Sequence, residues 1–550
     1  MILLAKEQLF LRKTTGLVRA WGFWDVFAAN SWTNPFVGYF TFFVLLYTPF
    51  LPQGSILLTI ILGIFLVLPQ CAVYAMLVST MPRAGGEYVW MSRIFRWPII
   101  GYVLTMVAWV ITPLFWLAIL APAVAGLYFQ PISLALGNKE LALWWMTRDG
   151  AFAATVFYVV VGLITMGAGM RWTGRLLKAS FTVGGVLAVL ATIGILLMYK
   201  PADFIATYNA FHLEQFGMHD AYNGAIKLVT QDWGTPMPGP WDWNLGATLP
   251  LLGFAAFATS WHMWGAPMYG EVKGASELKV SFWTMAGADL MNNGLMIAYL
   301  LAWVALVGFP FYQSSNLLYG TFVWYGFDTS AINNMMPLYP TPTLYVYLLT
   351  KSPIITILIC LAGTFFIASM HPGPCAILPP IRVSFAMAFD RVLPAPLATL
   401  STSRKVPLIA LGIFSAIALV FGWLYWYVPG ISTLTLMGTM LIIVSFMGTS
   451  IAGAILPYVR PDVWKQSPAS RYKIGNIPVI TILGILALAY FTYLCYLWVS
   501  DPVYGINNLP SAEFFAIMYI GAIILYLVRK WQFKKKEMDI ANIFKEIPAE

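Results

Sequence analysis

Val26-Phe27-Ala28-Ala29-Asn30-Ser31-Trp32-Thr33-Asn34-Pro35 is a polar interruption inside a longer apolar run, residues 20–47. Its amides, hydroxyls and proline fall in the middle of a segment long enough to cross a bilayer, which takes roughly 20 mostly apolar residues. Proline removes a backbone donor and disfavours helix at the residue before it, so unwinding is expected near residues 30–34. In lipid, such backbone is tolerated only where it lines a cavity or is buried in protein. A second interruption, Ala258-Thr259-Ser260-Trp261-His262-Met263-Trp264-Gly265-Ala266-Pro267, lies in the run 245–269, behind Pro250 and Gly253. Two broken helices at matching places, each the first of a five-span half, point to an inverted-repeat transporter with its site at the membrane midplane. Freed amides at such breaks can hold an anionic group, and freed carbonyls a cation.

The surrounding chain agrees. Of 550 residues, 60% are hydrophobic and 10% charged, where a soluble domain carries about a quarter charged residues. Continuous Leu, Ile, Val and Phe runs without period-two alternation specify helices rather than a β-barrel. The expected fold is an all-α polytopic membrane protein of twelve transmembrane helices, at 20–47, 55–80, 98–129, 152–169, 181–198, 245–269, 282–309, 354–389, 408–427, 433–456, 479–499 and 514–528. This divides the chain into an N-terminal tail (1–19), a first half (20–198), a long outer loop (199–244), a second half (245–456), a loop with the last two spans (457–528) and a basic tail (529–550).

Lys and Arg in alternate loops orient the bundle. Of the 31, only Lys139, Arg148, Lys200, Lys227 and Lys351 fall on the side opposite the termini. Both termini are therefore expected in the cytoplasm, and the chain in the plasma membrane as a multi-pass protein. The same bias accounts for the net charge of +9. The Arg529, Lys530, Lys534, Lys535, Lys536 cluster suits anionic membrane lipid, and no nucleic-acid partner is needed. Residues 1–19 offer no signal-peptide core or cleavage site, so the first span is expected to stay. Cys71, Cys360, Cys375 and Cys495 fall inside spans without metal-ligand spacing and read as packing residues. The outer segments 199–244, with His212 and His219 among several acids, and 308–353, rich in Asn, Tyr and Pro, read as solvated caps.

The loop Met81-Pro82-Arg83-Ala84-Gly85-Gly86-Glu87-Tyr88-Val89-Trp90-Met91-Ser92-Arg93 resembles the signature between spans two and three of the amino acid/polyamine/organocation transporter superfamily, a P-x-x-G-G-x-Y followed by an Arg. Further landmarks follow in order: Trp21-Gly22-Phe23-Trp24-Asp25, Gly169-Met170-Arg171-Trp172-Thr173-Gly174-Arg175, Gly270-Glu271-Val272-Lys273, and Arg382 through Pro394. The resemblance covers about residues 17–499 and implies a five-plus-five inverted repeat with discontinuous helices one and six, followed by two C-terminal helices. It also exposes departures. Where amino acid carriers of the superfamily hold a glycine run that cradles the substrate carboxylate, this chain has Asn30, Trp32, Phe36 and only then Gly38. Where proton-coupled members can carry a Lys in span five, it has Gly184.

Candidate substrate contacts are Ala29, Asn30, Ser31, Thr33 and Asn34 of the first break and Phe257, Thr259, Ser260 and Trp261 of the second. His262 and His371 are candidate proton carriers, because imidazole titrates near neutral pH, or structural histidines. His262 in the structural case would bond the span-one backbone. Asp289, beside Asn292 and Asn293, either couples a proton or pairs with a polar neighbour across the bundle. Ser369 is a candidate cation ligand, although a lone Ser also bonds its own helix. Asp25, Glu271 and Arg382 lie near the cytoplasmic ends and suit an inner gate or solvated topology charges. Trp32, Phe257, Trp261 and Trp264 present aromatic faces that suit an organic cation or an apolar side chain, or simply pack.

An enzyme is disfavoured, since no nucleophile–base pair, paired carboxylates or metal cluster appears. No cofactor is expected. A channel lacks its rings of repeated charge. The expected function is a secondary active permease for an amino acid or related organic amine, working by alternating access with a proton or sodium gradient. The alternatives are a polyamine or organic cation carrier and a nontransporting sensor or assembly partner.

Overall fold

The computed structural model describes residues 16–33, 51–237, 242–324, 337–534 and 540–545, with no side chains for 320–324 and 540–542. Asn34 and the end of the first apolar run lie outside the described residues. The helices that build the bundle are α1 (Phe23–Asn30), α2 (Ile56–Thr80), a short α3 (Glu87–Ile94), α4 (Pro98–Ala135), α5 (Arg148–Gly167), α6 (Met170–Met198), α7 (Leu245–Thr259), α8 (Leu278–Val307), α9 (Pro353–Phe389), α10 (Leu408–Tyr427), α11 (Ser432–Val459), α12 (Val479–Ser500) and α13 (Leu509–Lys534). Ten of these are long and apolar enough to cross a membrane. The three that are not are the short α3 and the helices α1 and α7, which end in turns at Asn30 and Thr259 inside the two interrupted runs.

Local chemistry sets the helix ends. Ser55 accepts from the Leu58 amide at 3.3 Å to start α2, and Thr147 accepts from Gly150 at 3.2 Å to start α5. Such caps satisfy donors that the helix leaves orphaned. Prolines shape the interiors. A proline ring clashes with the carbonyl four residues back, and wide π turns occur at Met106–Ile111 ahead of Pro113, at Ala125–Phe129 ahead of Pro131, and at His371–Ile377 around Pro372 and Pro374. The last contains Gly373 at ψ −105°, so α9 is kinked at its middle.

Helix α1 packs against α6, α8 and the kink of α9, while α7 packs against α2 and α12. Both broken segments therefore sit inside the bundle. Segments 199–244 and 308–353, expected as solvated caps, hold helices among their described residues. Pro201–Phe216, Ala221–Lys227, Phe309–Trp324 and Pro342–Thr350 are helices, because each carries apolar residues that find a core. Phe204, Tyr208 and His212 are buried. Burial pushes the His212 imidazole down to about 4, which keeps it neutral at ordinary pH.

Candidate functional site

The two breaks are tied to each other by backbone and by one amide side chain. Trp21 and Val272 form a parallel bridge, in which the Trp21 amide donates to the Glu271 carbonyl at 3.0 Å and the Lys273 amide to the Trp21 carbonyl at 2.9 Å. The Trp21 indole donates to the Met170 carbonyl at 2.9 Å. Where α1 ends, the Asn30 carbonyl oxygen accepts from the Gly265 amide at 2.7 Å. The Asn30 NH2 donates to the Thr284 carbonyl at 2.8 Å and to the Tyr269 hydroxyl at 3.2 Å. The side chain thus spends its bonds on the protein, joining both breaks to α8.

Above this strut lies an aromatic cluster. Trp32 has ring centroids of Trp116, Trp261, Trp264 and His371 at 6.2, 6.5, 6.3 and 6.2 Å. Trp264 is sandwiched, 5.8 Å from Trp116 at 8° and 4.3 Å from Trp109 at 29°. Phe257 stacks on the Trp116 face at 5.8 Å. Indole donors of Trp261 and Trp264 are taken by the Phe257 and Cys375 carbonyls at 2.8 and 2.9 Å. Those of Trp32 and Trp116, with the Thr33 hydroxyl and His371 Nε2, have no partner although all are buried. A buried polar group left unpaired costs about 1–3 kcal/mol, so these atoms mark where a ligand or water would bond. Gly373 is buried nearby in the kink, yet a Cβ built on it would meet nothing within 4 Å. Open space therefore borders the kink.

The other candidates divide clearly. Ala29 is buried in the last turn of α1. Ser31, Thr259 and Ser369 hydroxyls bond back to the carbonyls of Phe27, Ala255 and Phe365 at 2.9, 3.0 and 2.7 Å. The Ser260 hydroxyl lies in the second break beside Tyr490. His262 and Asp289, which the sequence offers as separate candidates, face each other: Nε2 is 3.3 Å from Oδ1, off the line of a hydrogen bond, with both side chains fully buried. The same Asp289 oxygen accepts from Asn293 at 2.8 Å. His262 makes no bond to the span-one backbone. His371 Nδ1 is 3.0 Å from the Tyr158 hydroxyl.

At the Trp21 end, Arg382 makes a buried bidentate ion pair with Glu271. Asp25 stands apart from it, accepting from the Gly22 amide at 2.8 Å with Lys178 at 3.7 Å. Arg93 pairs with Asp390 at 2.5 Å, and Tyr88 donates to the same oxygen at 2.9 Å. The Gly85-Gly86 loop docks directly on the second break, with the Gly85 amide donating to the Pro267 carbonyl at 3.0 Å. Gly86 sits at φ +44°, and a Cβ there would lie 2.8 Å from the Ala266 carbonyl carbon, which explains the glycine pair. Gly184 is just as close to α9: a Cβ would meet the Ala362 oxygen at 2.1 Å, leaving no room for a lysine.

Residues that the sequence reading passed over as candidates include Trp109, Trp116 and Tyr158, which sit in ordinary apolar runs among many interface aromatics, and Glu87, which it quotes only as part of the motif. The π turns before Pro113 and Pro131 are the only local signal near the two tryptophans. No curated protein matches the chain. A family model described as amino acid permease matches residues 21–528, nearly the whole chain including both breaks and the docking loop. The chain therefore belongs to the amino acid permease family, within the amino acid/polyamine/organocation superfamily, and is a multi-pass membrane transporter for amino acids or related compounds rather than an enzyme.

Proposed function

We propose that the protein is a secondary active permease that moves an amino acid or related organic amine by alternating access through a central site between the two breaks, driven by a proton or sodium gradient. Two five-span halves in inverted repeat and two C-terminal helices make up its twelve spans, and both termini face the cytoplasm of a plasma-membrane protein. The basic tail lies against anionic lipid. The observation that carries this reading is the pairing of the breaks: Asn30 bonds Gly265 at 2.7 Å, and partnerless polar atoms of Trp32, Thr33 and Trp116 gather beside that junction. Irregular backbone at membrane depth, buried between helices, is what a midplane site requires. Glu271 and Arg382 act as an inner gate, since their ion pair fastens the second break to α9 at the cytoplasmic end.

A second reading, an organic cation or polyamine carrier, is favoured by the aromatic cluster. A cation within about 6 Å of an indole face gains about 0.5–2 kcal/mol, and Trp32, Trp116, Trp261 and Trp264 converge. The test is uptake into proteoliposomes of labelled amino acids and polyamines, under an imposed proton gradient and separately a sodium gradient. Accumulation of one class that collapses with one gradient identifies cargo and coupling ion together. Folded protein that accumulates none of the panel refutes both cargo readings and places the cargo outside these classes or makes it absent.

A further inference from the structure

The Glu87 carboxyl is buried, and none of the ion pairs among the described residues includes it. Instead it collects neutral donors from three spans. Tyr74 of α2 donates to Oε1. The Trp109 indole of α4 and the Ser445 hydroxyl of α11 donate to Oε2 at 2.7 and 2.6 Å, with Thr449 also beside it. A carboxylate so placed keeps hydrogen bonds but has no counter-charge, an arrangement that is costly when ionised and comfortable when protonated. Burial pushes the Glu87 carboxyl up to about 7, with the three hydroxyl and indole donors holding it lower than burial alone would.

The neighbours can serve either protonation state. An indole only donates, whereas tyrosine and serine hydroxyls can turn to accept. The proton therefore belongs on Oε1, where the Tyr74 hydroxyl can reverse, while Oε2 keeps accepting from Trp109. Trp109 is also the ring stacked 4.3 Å from Trp264 of the second break. Glu87 begins α3 directly after Gly85-Gly86, the loop whose amide holds the Pro267 carbonyl. One carboxyl thus touches the aromatic cluster through an indole and the Gly85-Gly86 loop through its own backbone.

The remaining titratable groups on packed elements are engaged elsewhere. On α3 itself, Arg93 and Tyr88 face Asp390; on α9, Arg382 faces Glu271; on α4, Tyr102 packs on Tyr526 of α13. Tyr74 is the sole titratable group of α2 in contact, Ser445 and Thr449 are the polar contacts from α11, and Lys545 of the 540–545 turn is exposed.

We propose that Glu87 is a proton-binding site of the transport cycle, loaded and unloaded as the Gly85-Gly86 loop parts from the second break and felt at the substrate site through Trp109. This rests on the ion-driven reading above and chooses the proton. Two measurements separate the failure of one from the failure of the other. The first is infrared titration of purified protein. The wild type should show a protonated carboxyl band that is lost with a midpoint near pH 7 and is absent in Glu87→Gln. In Tyr74→Phe, which removes a donor to the charged form, the midpoint should move upward. The second is uptake in proteoliposomes: two pH units support up to about 100-fold accumulation per proton. Glu87→Gln should lose at least about tenfold of that, and its gradient-free exchange should no longer vary with pH. Persistence in Glu87→Gln of the carboxyl component that titrates near pH 7 overturns the proton site itself. A band that is lost in Glu87→Gln beside unaltered proton-driven accumulation overturns its role in coupling. Wild type that accumulates substrate only with sodium overturns that role as well, and leaves the ion-driven reading standing.

Discussion

Replacing Asn30 by Ala tests whether the first break is held by that amide or merely lined by it. The substitution strands the Gly265 amide, which is buried and has Asn30 as its acceptor at 2.7 Å. An orphaned buried donor costs about 1–3 kcal/mol. Two further bonds disappear, at 2.8 and 3.2 Å, but their partners keep others: Tyr269 still meets the Thr284 hydroxyl at 2.6 Å. These contribute about 0.5–1.5 kcal/mol each, giving a destabilisation of about 2–6 kcal/mol. Thr33→Val supplies the contrast, because the Thr33 hydroxyl has no partner and its removal strands nothing. Chemical unfolding in detergent micelles, alongside apparent affinity from uptake, separates the two. Asn30→Ala is expected to lose stability and, through the displaced break, affinity. Thr33→Val should keep stability and change affinity alone. Equal unfolding free energies for Asn30→Ala and wild type would refute the strut, since the bonds would then carry no energy.

For the buried pair, Arg382→Met strands the Glu271 charge and should cost about 3–5 kcal/mol, while the double variant Glu271→Gln with Arg382→Met recovers most of it; a double variant no better than the single, by the same unfolding assay, contradicts this. Gly184→Ala should destabilise by about 1–3 kcal/mol or more, because its Cβ would stand 2.5 Å from the Phe366 Cβ with backbone closer still; wild-type stability would mean that α6 and α9 separate easily. Because Glu87 binds its proton more tightly folded than unfolded, its contribution to stability is full below about pH 4.5 and is lost as pH rises through about 7. The loss amounts to about 3 kcal/mol, so the stability-versus-pH curve of Glu87→Gln should lack that component. His262→Ala should lower gradient-driven uptake without unfolding the protein, since it removes the ring facing Asp289; unchanged rates and pH dependence in liposomes would exclude it from coupling.

Long apolar runs made ten spanning helices readable, because burial in lipid needs only length and composition. The helix ends at these interruptions were equally readable: α1 stops at Asn30 and α7 at Thr259, where polar residues cannot continue a helix cheaply. What lay beyond reach was partnership. Asn30 announces itself as polar in an apolar run, but whether its amide meets substrate or Gly265 depends on a contact across 235 positions. His262 and Asp289 looked like separate candidates for the same reason. Trp109 and Trp116 carry no signal among 23 tryptophans until the fold stacks them on Trp264. Glu87 was legible as a motif residue, but the hydroxyls and indole that surround it come from three distant helices.

The geometry also explains how the chain departs from the glycine run of its relatives. A bare backbone amide at the second break is the natural partner for a carboxylate, and at Gly265 that amide is already held by Asn30. The next aligned position carries Trp32, whose ring faces Trp116, Trp261 and Trp264 instead of opening a path to the backbone. Two substitutions thus act together: one fills the anion position with a neutral acceptor from the protein, and the other lines the space beside it with π faces. Under the proposed central site, such a lining would favour an ammonium or apolar body over a carboxylate, and the Trp32 indole, the Thr33 hydroxyl and His371 Nε2 are the partnerless polar atoms beside it. Polyamines are therefore the members of the uptake panel whose transport best discriminates between the two cargo readings.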